Sequence, residues 1–518
     1  MPGLVVTTGV RVGTAGTADV PTSALFIAGT AQRGPSDDYR LVRSFTEFAD
    51  IYGDYVSDGT LFQHLQCFFE EGGTRAYVIR VVAAGASGTG GELATTLDFG
   101  TTSNGGTLCF SVDPVGAGDW AEDLDIAVTD GVISGTKRVT VTYDDEIIYV
   151  SGDLATNRAI SEALNANAGN YVTATYNTAN ATLPANRTQT FSGGQTGNAV
   201  IEDDELVDAL DVFVPELGAG VVAIPEFNGI AIWDGIQNHC LDNNRIGFCG
   251  FPYDDAVDGV GNVSGSLDAA MADLTPAVGS GAGQRLDGPY YGTTDAQKTD
   301  ASVLAFFWPH VVVPNGSGGT NTISPESFAA AARARAHAQV GPWRPGAGLI
   351  SASRFATSLA FPVNSVYGEQ ANDARINALR IIDNTVRVYG ARSVSADEIN
   401  WRYITFRDVV NYVAVQAGIR LEPYVFSAID SRNTIFGQIA AEMVNLLEPL
   451  RIAGGIYEGR DARGNIVDRG YTVEVSDALN PTQQLAAGTV TAKVGIRVSS
   501  VGETINLIIN KSGLTSAV

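Results

Sequence analysis

The sequence predicts a multidomain protein of α/β plus β class, and three observations predict it. The chain has 518 residues, too many for one ordinary core, so about three or four domains are expected. An apolar strand, two amphipathic helices and a second strand follow one another near the start, and the same pattern returns after residue 200. Between the two lies a run of short alternating segments with turn residues between them, which reads as an inserted β-sandwich-like domain.

Residues 1–20 come first. Val5, Val10, Val12 and Ala15 are strung between Gly3, Gly9, Gly13 and Gly16 without helical periodicity. Such a segment cannot bury a face by itself and reads as an extended arm. ALFIAG, from Ala24 to Gly29, is a fully apolar strand, and Gln32-Arg33-Gly34-Pro35 is a turn. Ser44 caps a helix that places Phe45, Phe48 and Ile51 on one side, and Glu47 stands at capping-box spacing. Gly53 ends it. A second helix, 61–71, carries Leu61, Leu65, Phe68 and Phe69 on one face. FFEEGGTRAYVIRV then runs through Gly72 and Gly73 into a strand, because glycine supplies the left-handed residue that closes a helix.

Residues 84–106 are a Gly/Ser/Thr-rich link. The alternating runs 108–112, 124–128, 138–143, 147–150 and 171–176 follow, with one helix over 155–165. The acidic turn Glu202-Asp203-Asp204-Glu205 suits the positive end of a helix dipole, and Leu206, Leu210 and Val214 continue at helical spacing. Strands are expected at 220–224, at 245–251 and in the apolar run 303–313. A helix starts at a Ser324 cap with Pro325 in its first position and stops at Gly341-Pro342. In the last part, 386–390 is a strand and turn and 404–417 a helix. Residues 433–450 form an amphipathic helix with Ile435, Ile439, Met443 and Leu446 on one face. Residues 489–499 alternate as a strand, with Val490, Ala492, Val494, Ile496 and Val498 on one side. Gly502 breaks it, and a second strand, 504–510, has Ile505, Leu507 and Ile509 in phase.

Charge and composition exclude several classes. A net charge of −25 argues against nucleic acid, whose phosphates need clustered Lys and Arg, and against an anionic membrane surface. The charge is uneven: residues 200–300 hold 18 acidic against 3 basic side chains, whereas residues 376–518 hold 14 of each. No window of 18 uncharged apolar residues marks a membrane span, and MPGLVVTTGV lacks the basic and apolar regions of a secretory signal. Cys67, Cys109, Cys240 and Cys249 show no CxxC spacing and are expected as reduced thiols of a cytoplasmic protein.

Catalytic motifs are missing. The sequence has no GxSxG elbow, no Walker A loop, no GxGxxG and no HExxH. His239 adjoins Cys240, but adjacent helical residues do not face each other. Asp254, Asp255 and Asp258 lack EF-hand spacing and read as a solvated acidic loop. Neither a cofactor nor a metal is expected.

One family resemblance gathers these segments. Pro2-Gly3 before the valine-rich arm, the Ala24–Gly29 strand, Arg33-Gly34-Pro35, and Phe68-Phe69 with Gly72-Gly73 resemble the start of the tail sheath proteins of contractile-tailed phages and related injection machines. GDWAEDL at 118–124 resembles the family's Trp-containing turn, with Ala121 and Glu122 where the family usually has Gly and Asn. AFFWPHVVVP at 305–314, the 325–348 helix and loop with Trp343 and Pro345, INWRYITF at 399–406 and the last strands continue the match in order. Asp408 stands where the family often has a second Arg after Arg407, and the family's prolines between the last two strands are absent around 500–503.

The resemblance implies a subtilisin-like central α/β domain without protease function, over 21–92 and 196–375. It implies an inserted β domain at 93–195, a C-terminal α+β domain at 376–500 facing an inner tube, and linking arms at 1–20 and 501–518. The implied function is a non-enzymatic sheath subunit that stacks in six-fold rings around the tube and contracts to drive it through a cell envelope. Its implied partners are further copies of the chain, the tube protein, and the baseplate and tail terminator proteins. Its place is the virion tail, assembled in the host cytoplasm. Unpaired terminal strands are an aggregation hazard unless a neighbour's sheet accepts them, which makes Val5, Val6, Val10, Val12, Ile505, Leu507 and Ile509 candidate inter-subunit residues. Arg432 and Arg451, flanking the 433–450 helix, are candidate tube contacts, with local pairing as the alternative. Another tail or baseplate structural protein, or a hydrolase with an unrecognised site, stays open at this point.

Overall fold

The computed structural model describes residues 22–83, 91–103, 105–253, 267–274, 290–315, 318–430 and 432–503. The candidate arm residues Val5, Val6, Val10, Val12, Ile505, Leu507 and Ile509, and the acidic loop at Asp254, Asp255 and Asp258, lie outside them.

An eight-stranded sheet organises the α/β part. Its order is Thr385–Val388, Ile376–Ile382, Leu304–Trp308, Ile246–Cys249, Gly220–Ala223, Ala24–Gly29, Ala76–Arg80, Arg40–Val42. The six inner strands are parallel and the two edge strands antiparallel. Ala24–Gly29 is the first strand among the described residues and sits inside, so the winding reverses beside it. Parallel sheets need cover on both faces, and the alternation supplies it. Leu25 and Ile27 join Phe48, Leu65, Phe68 and Phe328 on one side, under helices Phe45–Tyr52, Leu61–Glu70 and Glu326–Gln339. Phe26 and Ala28 join Leu206, Trp233 and Phe306 on the other, under Asp203–Asp208 and Ile230–Asn243.

Residues 97–190 build two antiparallel sheets. One contains Leu97–Thr102, Gly105–Pro114 and Val172–Tyr176; the other contains Arg187–Thr190, Leu124–Asp130, Lys137–Tyr143 and Glu146–Val150. Helix Asn157–Asn167 contributes Ile160 and Leu164 to their shared core, where Phe99 stacks on Phe110. A bridge between Glu92 and Gln195 brings the two ends of this unit together. Buried Arg80 ties it to the large sheet by donating to the carbonyls of Gly34 (3.0 Å) and Ala117 (2.8 Å). The Arg33 guanidinium lies 4.1 Å from the Tyr171 ring.

A further core joins helices Ile404–Leu421 and Thr434–Ile452 to a two-stranded sheet, Tyr471–Glu474 with Lys493–Ile496.

Several local expectations are corrected. Strand Leu97–Thr102 lies inside the supposed link; LDFGTT hides it because only Leu97, Phe99 and Gly100 are buried and its register shifts. The Glu47 carboxylate returns to the Arg43 amide (2.7 Å) rather than to Ser44, although the Ser44 hydroxyl does accept from Glu47 (3.1 Å). Pro325 takes the cap position itself, and the Ser324 hydroxyl donates to the Glu326 carboxylate instead of capping the helix. The helix carrying His239, expected from the sequence to end before Leu241, runs on to Asn243 and closes at left-handed Asn244. The 303–313 run is two strands, Leu304–Trp308 and Val311–Pro314, which belong to different sheets. The final strand shortens to Lys493–Ile496 because the Asn480 side chain takes both backbone groups of Thr491 (2.6 and 2.9 Å) out of the ladder. Its facing holds: Val490, Ala492, Val494, Ile496 and Val498 all pack toward the same core.

Candidate functional site

The crevice at the C-terminal ends of parallel strands is where an α/β sheet places chemistry. Beyond strand Gly220–Ala223, Glu226 adopts a left-handed backbone (φ 70). His64, on the buried face of helix Leu61–Glu70, donates from Nε2 to Glu226 Oε1 at 2.8 Å, and its Nδ1 meets Ser327 Oγ at 3.0 Å. Sequence motifs did not reveal this carboxylate–imidazole–hydroxyl line, since its members stand at 64, 226 and 327. It has the parts of a nucleophile relay in the wrong orientation. The hydroxyl is fully buried in the first turn of a helix, and the solvent-reaching end is the carboxylate, about a third exposed. A nucleophile must meet its substrate, so the line serves as a latch. Glu226 Oε1 also accepts from the Ser324 amide (2.8 Å) and the Glu226 amide donates back to Ser324 Oγ (3.2 Å).

Glu326 lies beside this latch, fully buried, and burial pushes its carboxyl up to about 7. The folded protein therefore favours the neutral acid. Its stabilising contribution is complete below the ordinary value of 4.5 and is lost as the pH rises through about 7. Glu326→Gln, neutral at every pH, is expected to flatten the dependence of stability on pH across that window. The variant should exceed the parent above pH 7 by roughly 1–3 kcal/mol. Urea unfolding at pH 5 and pH 8 measures it, and identical pH slopes for the two proteins contradict the assignment.

His239 and Cys240 do not act on each other. Arg245 Nη1 lies 2.7 Å from His239 Nε2; burial, helped by Arg245, lowers the imidazole to about 3, and burial pushes the Cys240 thiol up. All four cysteines are buried and free. Among the described residues no helix is long and apolar enough to cross a membrane.

The two-stranded sheet near the C-terminus is different in kind. Tyr471, Val473, Val494 and Ile496 share one face and pack on the core of Ile439, Met443, Leu446 and Leu447. Thr472, Glu474, Lys493 and Gly495 form the outer face. Among the described residues no strand pairs with the outer edge of either strand. The Arg497 amide donates to Gly470 O (2.7 Å), and Arg497 O accepts from the Tyr457 amide (2.8 Å). Ladder alternation therefore turns the backbone groups of Val494, Ile496 and Val498 outward. This is a half-built sheet with a finished apolar floor, the setting in which an added strand gains most.

The chain enters and leaves the described fold at two held points. At the first, Thr22 O accepts from Arg333 Nη1 (2.7 Å), and Thr22 Oγ1 lies 2.9 Å from His337 Nδ1. Arg333 in turn pairs with Asp408 in a buried, two-pronged contact, with Nε at 3.1 and 3.2 Å from the two carboxylate oxygens. At the second, Glu503 accepts from Arg392 (3.1 and 2.9 Å) and Arg402 (3.2 Å).

Of the candidate tube contacts, Arg432 is exposed at the start of helix Thr434–Ile452. Arg451 is held locally by Glu448 (2.6 Å) and Glu458. Hydrogen bonds from Arg451 and Tyr471 hold the Glu448 carboxyl down to about 2.

No protein-family model matches the sequence, and no curated protein matches it. Solved structures do match. The sheath tail protein from Listeria innocua is 12% identical, with 89% of this chain and 90% of that one covered and a TM-score of 0.59. The helical sheath of the anti-feeding prophage in its contracted state is 13% identical, covers 98% of this chain and 100% of that one, and has a TM-score of 0.53. A chain of the anti-feeding prophage baseplate, a six-fold symmetrised structure, is 14% identical over 99% of both chains with a TM-score of 0.54. Over nearly its whole length the chain has the fold of tail sheath proteins from contractile injection systems.

Proposed function

We propose that this chain is the sheath subunit of a contractile tail. Copies stack as six-fold rings around an inner tube, join into a helical cylinder, and contract to drive the tube through a target envelope. The observation that carries the reading is the half-built sheet, Tyr471–Glu474 with Lys493–Ile496, in a chain of sheath-protein fold. Its two open edges are suited to terminal strands from neighbouring copies, through Val5, Val6, Val10 and Val12 on one side and Ile505, Leu507 and Ile509 on the other. An interface in which each copy gives and receives different surfaces does not close on itself, and so it builds filaments.

In this reading residues 21–92 and 196–388 form a subtilisin-like central domain, since Ile376–Ile382 and Thr385–Val388 complete its eight-stranded sheet and move the boundary expected at 375; 93–195 is the insertion, and 389–500 the domain nearest the tube. The arms are residues 1–20 and 501–518. Arg432 is the stronger tube contact, since Arg451 is already neutralised by Glu448 and Glu458. The tube, baseplate and terminator proteins are the other partners, nucleic acid is not one, and the place is the virion tail, assembled in the host cytoplasm. The switch between extended and contracted states is a rigid-body repacking with the arms kept engaged.

A second reading, a baseplate component, is favoured by the likeness to a chain of the anti-feeding prophage baseplate. Negative-stain microscopy of purified protein decides between them. Long striated tubes are expected; compact particles alone at high protein concentration refute the sheath.

A further inference from the structure

Glu503 stands at the root of the proposed C-terminal arm, just before the strand expected at 504–510, and distant residues grip it. Arg392, 111 residues earlier, donates from Nε to Glu503 Oε1 (3.1 Å) and from Nη2 to Oε2 (2.9 Å). This is the two-pronged, planar match of a guanidinium with a carboxylate. Arg402 Nη2 adds a further bond to Oε2 (3.2 Å). The Glu503 side chain is 21% exposed and that of Arg392 15%, so the pair is partly withdrawn from the water that leaves most surface ion pairs weak.

The receiving arginines are placed by contacts that do not involve Glu503. Their segments are joined by a bridge between Arg392 and Tyr403, and the Ser393 amide donates to Arg402 O (3.0 Å). Fully buried Asn377 holds the Arg392 backbone twice, accepting from its amide (2.7 Å) and donating to its carbonyl (2.8 Å). The Arg392 guanidinium also donates to Asn372 O (2.5 Å), and Arg402 pairs with Glu398 (3.1 Å). The stretch that delivers Glu503 has no such fastening. The Ser499 amide donates to Gly455 O (3.0 Å), but among the described residues Ser500, Val501 and Gly502 make no hydrogen bond. The two arginines therefore decide where the chain stands as it reaches residue 504.

We propose that Glu503 is the positioning residue of the C-terminal arm. Gripped by Arg392 and Arg402, it starts the strand at 504–510 toward a neighbouring copy from one fixed point. Without the grip the last fastened residue is Ser499, and residues 500–503 let the arm's root range over about 13 Å of extended chain. Each strand exchange must then order those residues as well, an entropic cost that a fixed root does not carry. The proposal deepens the sheath reading and rests on its strand exchange.

The test compares the full-length parent with Glu503→Gln, Arg392→Gln, the double variant and Glu503→Asp. Amide hydrogen exchange across 499–503 is expected to rise about tenfold or more in Glu503→Gln, while helices Ile404–Leu421 and Thr434–Ile452 and the melting temperature stay as in the parent. The protein concentration at which tubes appear is expected to rise about tenfold or more. Adding Glu503→Gln to Arg392→Gln should cost little further, as for two residues of one contact, and Glu503→Asp, which keeps the charge, should recover most of the loss. Tubes from Glu503→Gln at the parent's concentration, unchanged exchange, or additive losses in the double variant overturn the proposal and leave the sheath standing. A melting temperature that falls together with tube formation makes Glu503 a part of the fold and also overturns it. A parent that forms no tubes overturns the sheath reading, and the positioning role with it.

Discussion

Removing residues 1–20 leaves a folded protomer that no longer builds tubes. The described cores draw on residues from Ala24 onward, and Thr22, the first described residue, is already fixed by Arg333 and His337. The truncated chain therefore keeps its sheets, its helices and its melting transition. It loses the strand proposed to complete a neighbour's sheet. A strand of about five residues brings several backbone hydrogen bonds worth roughly 0.5–1.5 kcal/mol each, together with the valines that cover the neighbour's apolar floor. Repeated at every subunit, that loss lowers polymer stability by many orders of magnitude. Size-exclusion chromatography and negative-stain microscopy report it as a monodisperse peak without striated tubes. Tubes of ordinary length from the truncated chain refute the strand-exchange arrangement, whereas insoluble or unfolded protein refutes the independence of the cores.

Asp408→Ala carries the largest expected loss of stability. Burial raises the Asp408 carboxyl, and Arg333 and His337 more than offset that, so it titrates below its ordinary 3.8. Removing it strands the Arg333 guanidinium in the interior, which costs about 3–5 kcal/mol. Replacing both partners, Arg333→Met with Asp408→Leu, leaves no buried charge and is expected to recover most of the loss. The pH dependence has a definite sign. A carboxylate whose folded value is depressed contributes fully above its unfolded value, and that contribution disappears as the pH falls through the folded one. The parent should therefore weaken below about pH 4 more steeply than the double variant does. Urea unfolding of the three proteins at pH 7 and pH 3 measures all of this, and a single variant within 1 kcal/mol of the parent contradicts the pairing.

Asp408 also shows how far sequence reaches. It was legible as a departure, an acid where the resembling family often has a second Arg after Arg407. What balances it was not, because Arg333 stands 75 residues away on a different helix. The same limit applies to His64, Glu226 and Ser327, which only the strand order brings together. Periodicity, by contrast, is local. It located Ala24–Gly29, the helices after Ser44 and Thr60, most insertion strands, and the buried face of Thr434–Ile452. It failed where local chemistry competes with pattern. Asn480 cut the last strand short, and the Gly and Thr residues of Leu97–Thr102 made a strand look like a linker.

Thr22 and Glu503 are both fastened to residues 392–408, the first through Arg333 and Asp408 and the second through Arg392 and Arg402. A pull on either tail is thus passed along one short strut of charged clasps, and the apolar interiors are spared the load. In the proposed sheath, tension on a protomer's two ends during contraction would enter the fold through these clasps.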